Sequence, residues 1–396
     1  MEKVVLAYSG GLDTSFCAVW LSKERNLEVH AVMVNLGGFS PLEIKKTEER
    51  AYRLGVKTFK IIEDEKRYYE DCIRYLIYAN VLKNNTYPLS VSSERVFQAT
   101  AIAHYAKEIG AKYVAHGSTA AGNDQVRFDA VFRVLLPHIE VITPIRDLKL
   151  SRKEERDYLA KNQVEVDFEK SRYSINKGLW GTSIGGKETL TSNESLPESA
   201  YPTPVSKTDP ELMTLGFDKG NLSSVNGKKY SHPVQAIRQV EEIAQPFGIG
   251  RDTHVGDTII GIKGRVSFEA AAPLIIIKAH HLLEKHTLTK NQLIIKDQLS
   301  IFYGNYLHDG WALDPVMKNL ESFFVSTQEK VSGEVKVELY PYHFILIGIS
   351  SPHDLMSSKF GKYGEENATW TEADVKGFSK IYSNALSIYH QVHQEY

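Results

Sequence analysis

The sequence predicts an α/β protein: an N-terminal doubly wound parallel sheet, then a C-terminal α+β domain and a helical tail. Three observations predict it. Short apolar, β-branched runs alternate with longer segments of helical spacing from Val4 to Thr143. A glycine pair, Gly10-Gly11, separates the first such run from the first helical segment. Beyond Val164 the alternation stops, and strand-like and helix-like segments occur in separate groups.

The elements follow in order. Residues 4–8, 29–35, 58–62, 113–116 and 140–143 read as strands, and 14–25, 41–54, 66–82 and 93–109 as helices. In such sheets ligands sit beyond the carboxyl ends of the strands, which directs attention to Ser9, Asn35, Glu63 and Gly117. Residues 187–210 are rich in Ser, Thr and Glu and hold Pro197, Pro202, Pro204 and Pro210, so they read as an extended connection or a lid. Residues 213–230 read as two short strands around Asn226-Gly227. Helices are expected at 234–247, 269–285 and 315–327, and a hairpin through Pro341 at 334–349. The tail, 371–396, has helical spacing and several aromatics; docking on a neighbouring subunit and packing on its own domain are both open. The expected domains are 1–165, 166–365 and 366–396.

Composition excludes several classes. Lys plus Arg is 47 and Asp plus Glu is 49, a net charge of −2. That lacks the bulk basic charge of proteins that bind nucleic acid through phosphates, so no nucleic-acid partner is expected. Two cysteines, Cys17 and Cys72, rule out a disulfide scaffold and a four-Cys zinc site, and fit a reducing cytoplasm. No signal-like apolar segment opens the chain, and the apolar stretch 270–283 is broken by Pro273, Lys278 and two histidines. It is too short and polar to cross a bilayer, so no membrane partner is expected.

The strongest motif is Ser9-Gly10-Gly11-Leu12-Asp13-Thr14-Ser15, between a strand run and a helix. Glycines let the backbone turn tightly, and the helix N-terminus offers free N–H groups and the positive end of its dipole, which suits phosphate. Asp13 suits a divalent cation held between itself and the phosphates. The plainer reading is a strand–turn–helix joint with Asp13 or Thr14 as N-cap. No lysine follows, so this is not a Walker-type loop. The second motif is His116-Gly117-Ser118-Thr119-Ala120-Ala121-Gly122-Asn123-Asp124-Gln125-Val126-Arg127-Phe128. On a helix starting near Asn123, an amide, a carboxylate and a guanidinium share one face and can hold a zwitterion. Its plainer reading is an Asn123 cap and a local Asp124–Arg127 pair.

The first motif resembles the pyrophosphate loop of the ATP pyrophosphatase (PP-loop) superfamily. Together with Gly122–Phe128 and Tyr87-Pro88-Leu89, it resembles the argininosuccinate synthase family, from about Lys3 to Val337. That resemblance implies an AMP-forming ligase of arginine biosynthesis, which joins citrulline to aspartate through a citrullyl-adenylate and releases pyrophosphate. It implies that Ala7, Tyr8, Ser9, Gly10, Gly11, Leu12, Asp13, Thr14 and Ser15 bind ATP, with Val34 and Gly117 near the adenosine. Thr119, Asn123 and Asp124 would hold aspartate, and Tyr87, Ser92, Asn123, Arg127, Ser174 and Ser183 citrulline. Asp13 and Asp124 would be the catalytic carboxylates. Magnesium (Mg2+), a homotetramer and a cytoplasmic location are implied as well, with no metal ligand assigned.

The resemblance fails in places. Asn176 and Gly178 stand where the family has Asp and Asn, Gly256 where it has a citrulline-binding glutamate, and Phe268 where it has a tyrosine. Ala121 replaces a lysine, Val34 an alanine, and Gly37-Gly38-Phe39 lacks the usual Gly-Gln. Either Asp257 or Glu269 replaces the lost carboxylate, or the substrate is an N-acylated citrulline without an ammonium. A different PP-loop adenylating enzyme is the remaining alternative.

Overall fold

The computed structural model describes residues 1–164, 173–356, 364 and 369–394. It divides into two units, Met1–Pro352 and His353–Tyr396. Both expected domain boundaries, 165/166 and 365/366, lie outside the described residues.

Five parallel strands open the first unit: β1 (Lys3–Ala7), β2 (Glu28–Asn35), β3 (Thr58–Glu63), β4 (Tyr113–Ala115) and β5 (Glu140–Ile142), in the order β3-β2-β1-β4-β5. The apolar residues of β1 explain its central place, since Val4, Val5 and Leu6 are wholly buried. Val4 and Leu6 face one core, with Phe16, Val19 and Leu21 of helix Leu12–Lys23. Val5 and Ala7 face the other, with Val96, Ala99 and Ile102 of helix Ser90–Glu108. Helices on both faces make the sheet doubly wound, as expected. The chain winds outward from β1 to β3, then restarts at β4 on the other side. The switch point therefore lies between the carboxyl ends of β1 and β4, where an open α/β sheet leaves its crevice.

The remaining strands are β6 (Ser174–Gly178), β7 (Gly181–Gly185), β8 (Glu211–Asp218), β9 (Asn221–Val225), β10 (Lys228–Lys229), β11 (Arg251–Asp257), β12 (Lys263–Glu269), β13 (Gly333–Tyr340) and β14 (His343–Ser350). They form two antiparallel sheets, β11-β12-β7-β6 and β10-β9-β8-β13-β14. The hairpin through Pro341 is present. The first of these sheets is absent from the sequence reading. Its strand β6 reads Ser-Ile-Asn-Lys-Gly and is mostly exposed, so it carries no alternating apolar signal.

Other expectations need correction. The segment 66–82 is not one helix: Glu65–Tyr68 and Arg74–Tyr78 flank a π-helical turn at Tyr69–Ile73. The expected helix at 269–285 begins instead at Ala271, because Glu269 completes β12. Residues 187–210 are no loose lid: Leu196 and Ala200 are buried against Ile184. Helices Arg152–Lys161 and Lys290–His308 are not among the elements that the sequence predicts. The second scatters its apolar side chains around its axis, leaving Ile294, Ile295, Ile301 and Phe302 exposed, so no single face stands out.

In the second unit, a Thr371–Asp374 capping box starts helix Glu372–Tyr382, and Asn384–His393 follows. Neither has a buried residue.

Candidate active site

The switch point opens into a cleft of about 1400 Å³. One wall is the glycine loop after β1. Gly10 has φ +75°, and a Cβ there would lie 2.9 Å from Thr47 Cγ2, so only glycine fits without strain. Gly11, not Asp13 or Thr14, is the N-cap of helix Leu12–Lys23, and no side chain caps it. Helices Pro41–Arg53 and Arg152–Lys161, by contrast, begin with full capping boxes at Ser40 and Ser151. The uncapped N-terminus leaves backbone donors available to an anion. Ser9 and Thr14 hydroxyls lie 3.3 Å apart beside it. Asp13 lines the cleft, while Glu155 is buried behind it. Burial, then the hydrogen-bonded Asp13 carboxylate, pushes Glu155 up to about 8.

The second wall follows β4. His116 Nδ1 accepts from Ser118 N–H at 3.2 Å, so its proton is on Nε2, which donates to Asp129 at 2.9 Å. Arg146 ties Asp129 to Gln125, and Gln125 donates to the Ala120 carbonyl. This chain of bonds holds the loop from His116 to Asn123. Asn123 stands at the N-cap of helix Asp124–Leu135 but does not cap it; its Oδ1 accepts from Ile259 N–H at 2.9 Å. Asp124 pairs with Arg127 at 3.0 Å, as the spacing suggests, and with Arg95 at 2.9 Å, which the spacing does not show. Part-burial of the Asp124 carboxyl pushes it up, but the two guanidiniums outweigh that and hold it below the usual range. Arg127 also donates Nε–H to the His308 carbonyl, leaving Nη2 buried and without a hydrogen-bond partner.

Helix Ser90–Glu108 and the β6–β7 hairpin close the third side. Tyr87 OH accepts from Ser90 and lies 3.5 Å from Ser183 Oγ. Ser92 lies inside the helix, and its Oγ is buried and unpartnered. Trp180, wholly buried in the turn between β6 and β7, donates Nε1–H to the Pro88 carbonyl at 3.0 Å. The ring of His254 stacks on Tyr87 at 5.2 Å, and Phe268 packs against the same ring. Burial drives His254 down to about 4, so the ring is neutral, and its Nδ1 has no hydrogen-bond partner. A Cβ at Gly256 would lie 2.7 Å from His254 Nε2, so the histidine occupies the space beside that glycine.

The cleft thus gathers Ala7, Tyr8, Ser9, Gly11, Leu12, Asp13, Thr14, Val34, Gly117, Thr119, Asn123, Asp124, Arg127, Tyr87, Ser92, Ser174 and Ser183. Gly10 and Ser15 are not on its surface: Gly10 shapes the turn, and Ser15 is fully buried. The sequence reading missed Glu94, Arg95 and His254. The signal for Glu94 was a carboxylate three residues from Val91, on a buried helix face.

Two family models match the chain. Residues 3–165 match the arginosuccinate synthase N-terminal HUP domain and 173–389 the arginosuccinate synthase C-terminal domain. The chain belongs to the argininosuccinate synthase family. An argininosuccinate synthase of Methanocaldococcus jannaschii is 36% identical over 393 residues, covering 98% of each chain. Those of Dictyoglomus turgidum and Rubrobacter xylanophilus are 36% and 35% identical, covering 96% of this chain and 96% and 93% of theirs. The family's nucleotide-binding half thus coincides with the parallel sheet and its glycine loop. Among the described residues, no group of three or more His, Cys, Asp and Glu could hold a metal, and no helix is long and apolar enough to cross a membrane.

Proposed function

We propose that this protein is an AMP-forming carbon–nitrogen ligase that condenses citrulline with aspartate to argininosuccinate. One observation carries the reading: the uncapped helix at the glycine loop and the Asn123–Asp124–Arg127 group line the same cleft. The first suits the β- and γ-phosphates of ATP, the second an amino acid. The ureido oxygen of citrulline attacks the α-phosphorus, and pyrophosphate leaves toward the loop. The ureido oxygen now carries AMP; the amine of aspartate attacks the ureido carbon and loses a proton, the C–O bond breaks, and AMP leaves with that oxygen. The chain's part is to position these groups and stabilise charge where it develops. Arg127 Nη2, a buried unpaired donor, suits the ureido or carboxylate oxygen of citrulline.

Mg2+ arriving with the nucleotide would be held by Asp13 and the phosphates and would neutralise the leaving group. The Asp13–Glu155 pair fits this: burial first and the Asp13 charge second push Glu155 up, and a cation on Asp13 relieves the second. A homotetramer in the cytoplasm completes the proposal. The test is pyrophosphate release from ATP: it should require citrulline and aspartate together. Release with neither, or with an N-acylated citrulline in preference to the free amino acid, would replace this reading.

A further inference from the structure

Among the described residues, five carboxylates line the cleft: Asp13, Glu43, Glu94, Asp124 and Asp257. Four are committed. Asp13 is hydrogen-bonded to Glu155, and Glu43 completes the capping box with Ser40. Asp124 lies between Arg95 and Arg127, and Asp257 pairs with Lys263 at 2.7 Å. Glu269, the other carboxylate considered from the sequence, is buried away from the cleft lining and held by Arg251 and Gln245.

Glu94 differs from all of these. It is 3% exposed, and its Oε1 has no hydrogen-bond partner. The adjacent Arg95 does not serve it, directing its donors at Asp124, Gln98 and Asn176. The carboxyl occupies room left by Gly178, where a Cβ would overlap Oε1. Burial pushes Glu94 up to about 8, with Asp124 adding to the shift and Arg95 opposing it. A buried carboxyl with no hydrogen-bonded counter-charge destabilises the empty protein and gains strongly from a cation that a ligand brings.

We propose that Glu94 receives the α-ammonium of an amino-acid substrate bound in this cleft. The inference rests on the reading that the cleft takes two amino acids, each bringing one ammonium. Asp124 is the poorer receiver, because two guanidiniums already neutralise it. Asp257 is paired and largely exposed. Glu94 is therefore a binding and specificity residue, and Gly178 is the glycine that makes room for it.

The test is Glu94→Gln in the full chain, which keeps the shape and removes the charge. The measurements are KM for citrulline, aspartate and ATP, and calorimetric titration of each amino acid onto protein holding a non-hydrolysable ATP analogue. KM and Kd for one amino acid should rise about tenfold or more, with ATP changed less than about twofold. Whichever amino acid responds is the one whose ammonium Glu94 holds. If neither responds, or ATP alone does, the assignment is overturned. If both weaken and the unfolding midpoint falls, Glu94 is a structural prop and the assignment is likewise overturned. Glu94→Ala should fold with an unchanged or higher midpoint, since it removes a buried unpaired group. A wild-type protein that makes no AMP from the two amino acids refutes the proposed reaction instead. That outcome differs from an active wild type whose variant is unaltered.

Discussion

The two ends of the cleft are made of different material. At the carboxyl end of β1, the ligand surface is mostly backbone: a glycine turn, an uncapped helix and two hydroxyls. At the β6–β7 side it is mostly side chains. There Ser92 Oγ, Glu94 Oε1, Arg127 Nη2 and His254 Nδ1 are buried without hydrogen-bond partners. Backbone donors recognise what all nucleoside triphosphates share. Side chains can be exchanged singly. Four of the positions where the sequence reading expects a departure from the family pattern, Asn176, Gly178, Gly256 and Phe268, belong to strands β6, β11 and β12 on this side, while Val34 and residues 37–39 belong to the other. On the proposed reading, the difference teaches that the nucleotide is gripped by backbone at one end and the amino acid is selected by side chains at the other.

The largest expected effect breaks the side-chain end. Asp124→Ala removes the carboxylate that orients Arg95 and Arg127. Aspartate-dependent AMP release should fall at least about a thousandfold, while ATP affinity stays within about twofold. Unchanged aspartate saturation would remove Asp124 from the site. A smaller loss should follow at the backbone end. Gly10→Ala forces a side chain into a left-handed conformation and against Thr47. The strain, about 2 kcal/mol, should raise the KM for ATP some 30-fold and leave the KM of both amino acids nearly unchanged. If the amino-acid constants shift equally, the two ends are not separable.

The smallest effect is in stability against pH. The native state holds the Glu94 proton to about pH 8, whereas the unfolded chain releases it near the ordinary 4.5. In that window the native state binds more protons, so stability falls as pH rises. Glu155, at about 8, and Glu241, at about 7, act in the same direction. Glu94→Gln should therefore flatten the decline, read as the difference between the urea midpoints at pH 5 and pH 8. An unchanged slope would mean that Glu94 is ionised in the empty protein.

What the sequence made legible follows the same division. The parallel sheet announces itself through apolar runs such as 4–8, whose β1 core is wholly buried, and the loop through its two glycines. The Asn123–Arg127 face follows from helical spacing alone. The opposite wall was illegible for physical reasons. Strand β6 is short, polar and turned to the cleft, so burial imposes no pattern on it. Glu94 and Arg95 look in sequence like a solvated pair on a helix. Only the tertiary structure shows one buried and the other occupied by Asp124 from another helix. His254 comes close to Tyr87 through pairing of β11 with β12, a relation that no local spacing encodes.

Trp180 sets a mechanical limit on this arrangement. Its indole rivets the β6–β7 hairpin to the chain just before helix Ser90–Glu108, so the pieces bearing Ser92, Glu94, Ser174 and Ser183 travel together. Prising them apart would strand an N–H and a carbonyl in a dry interior, at about 1–3 kcal/mol each. A bulkier amino acid is thus not admitted by widening the jaw. Evolution of a new specificity on this scaffold has to proceed by trading teeth.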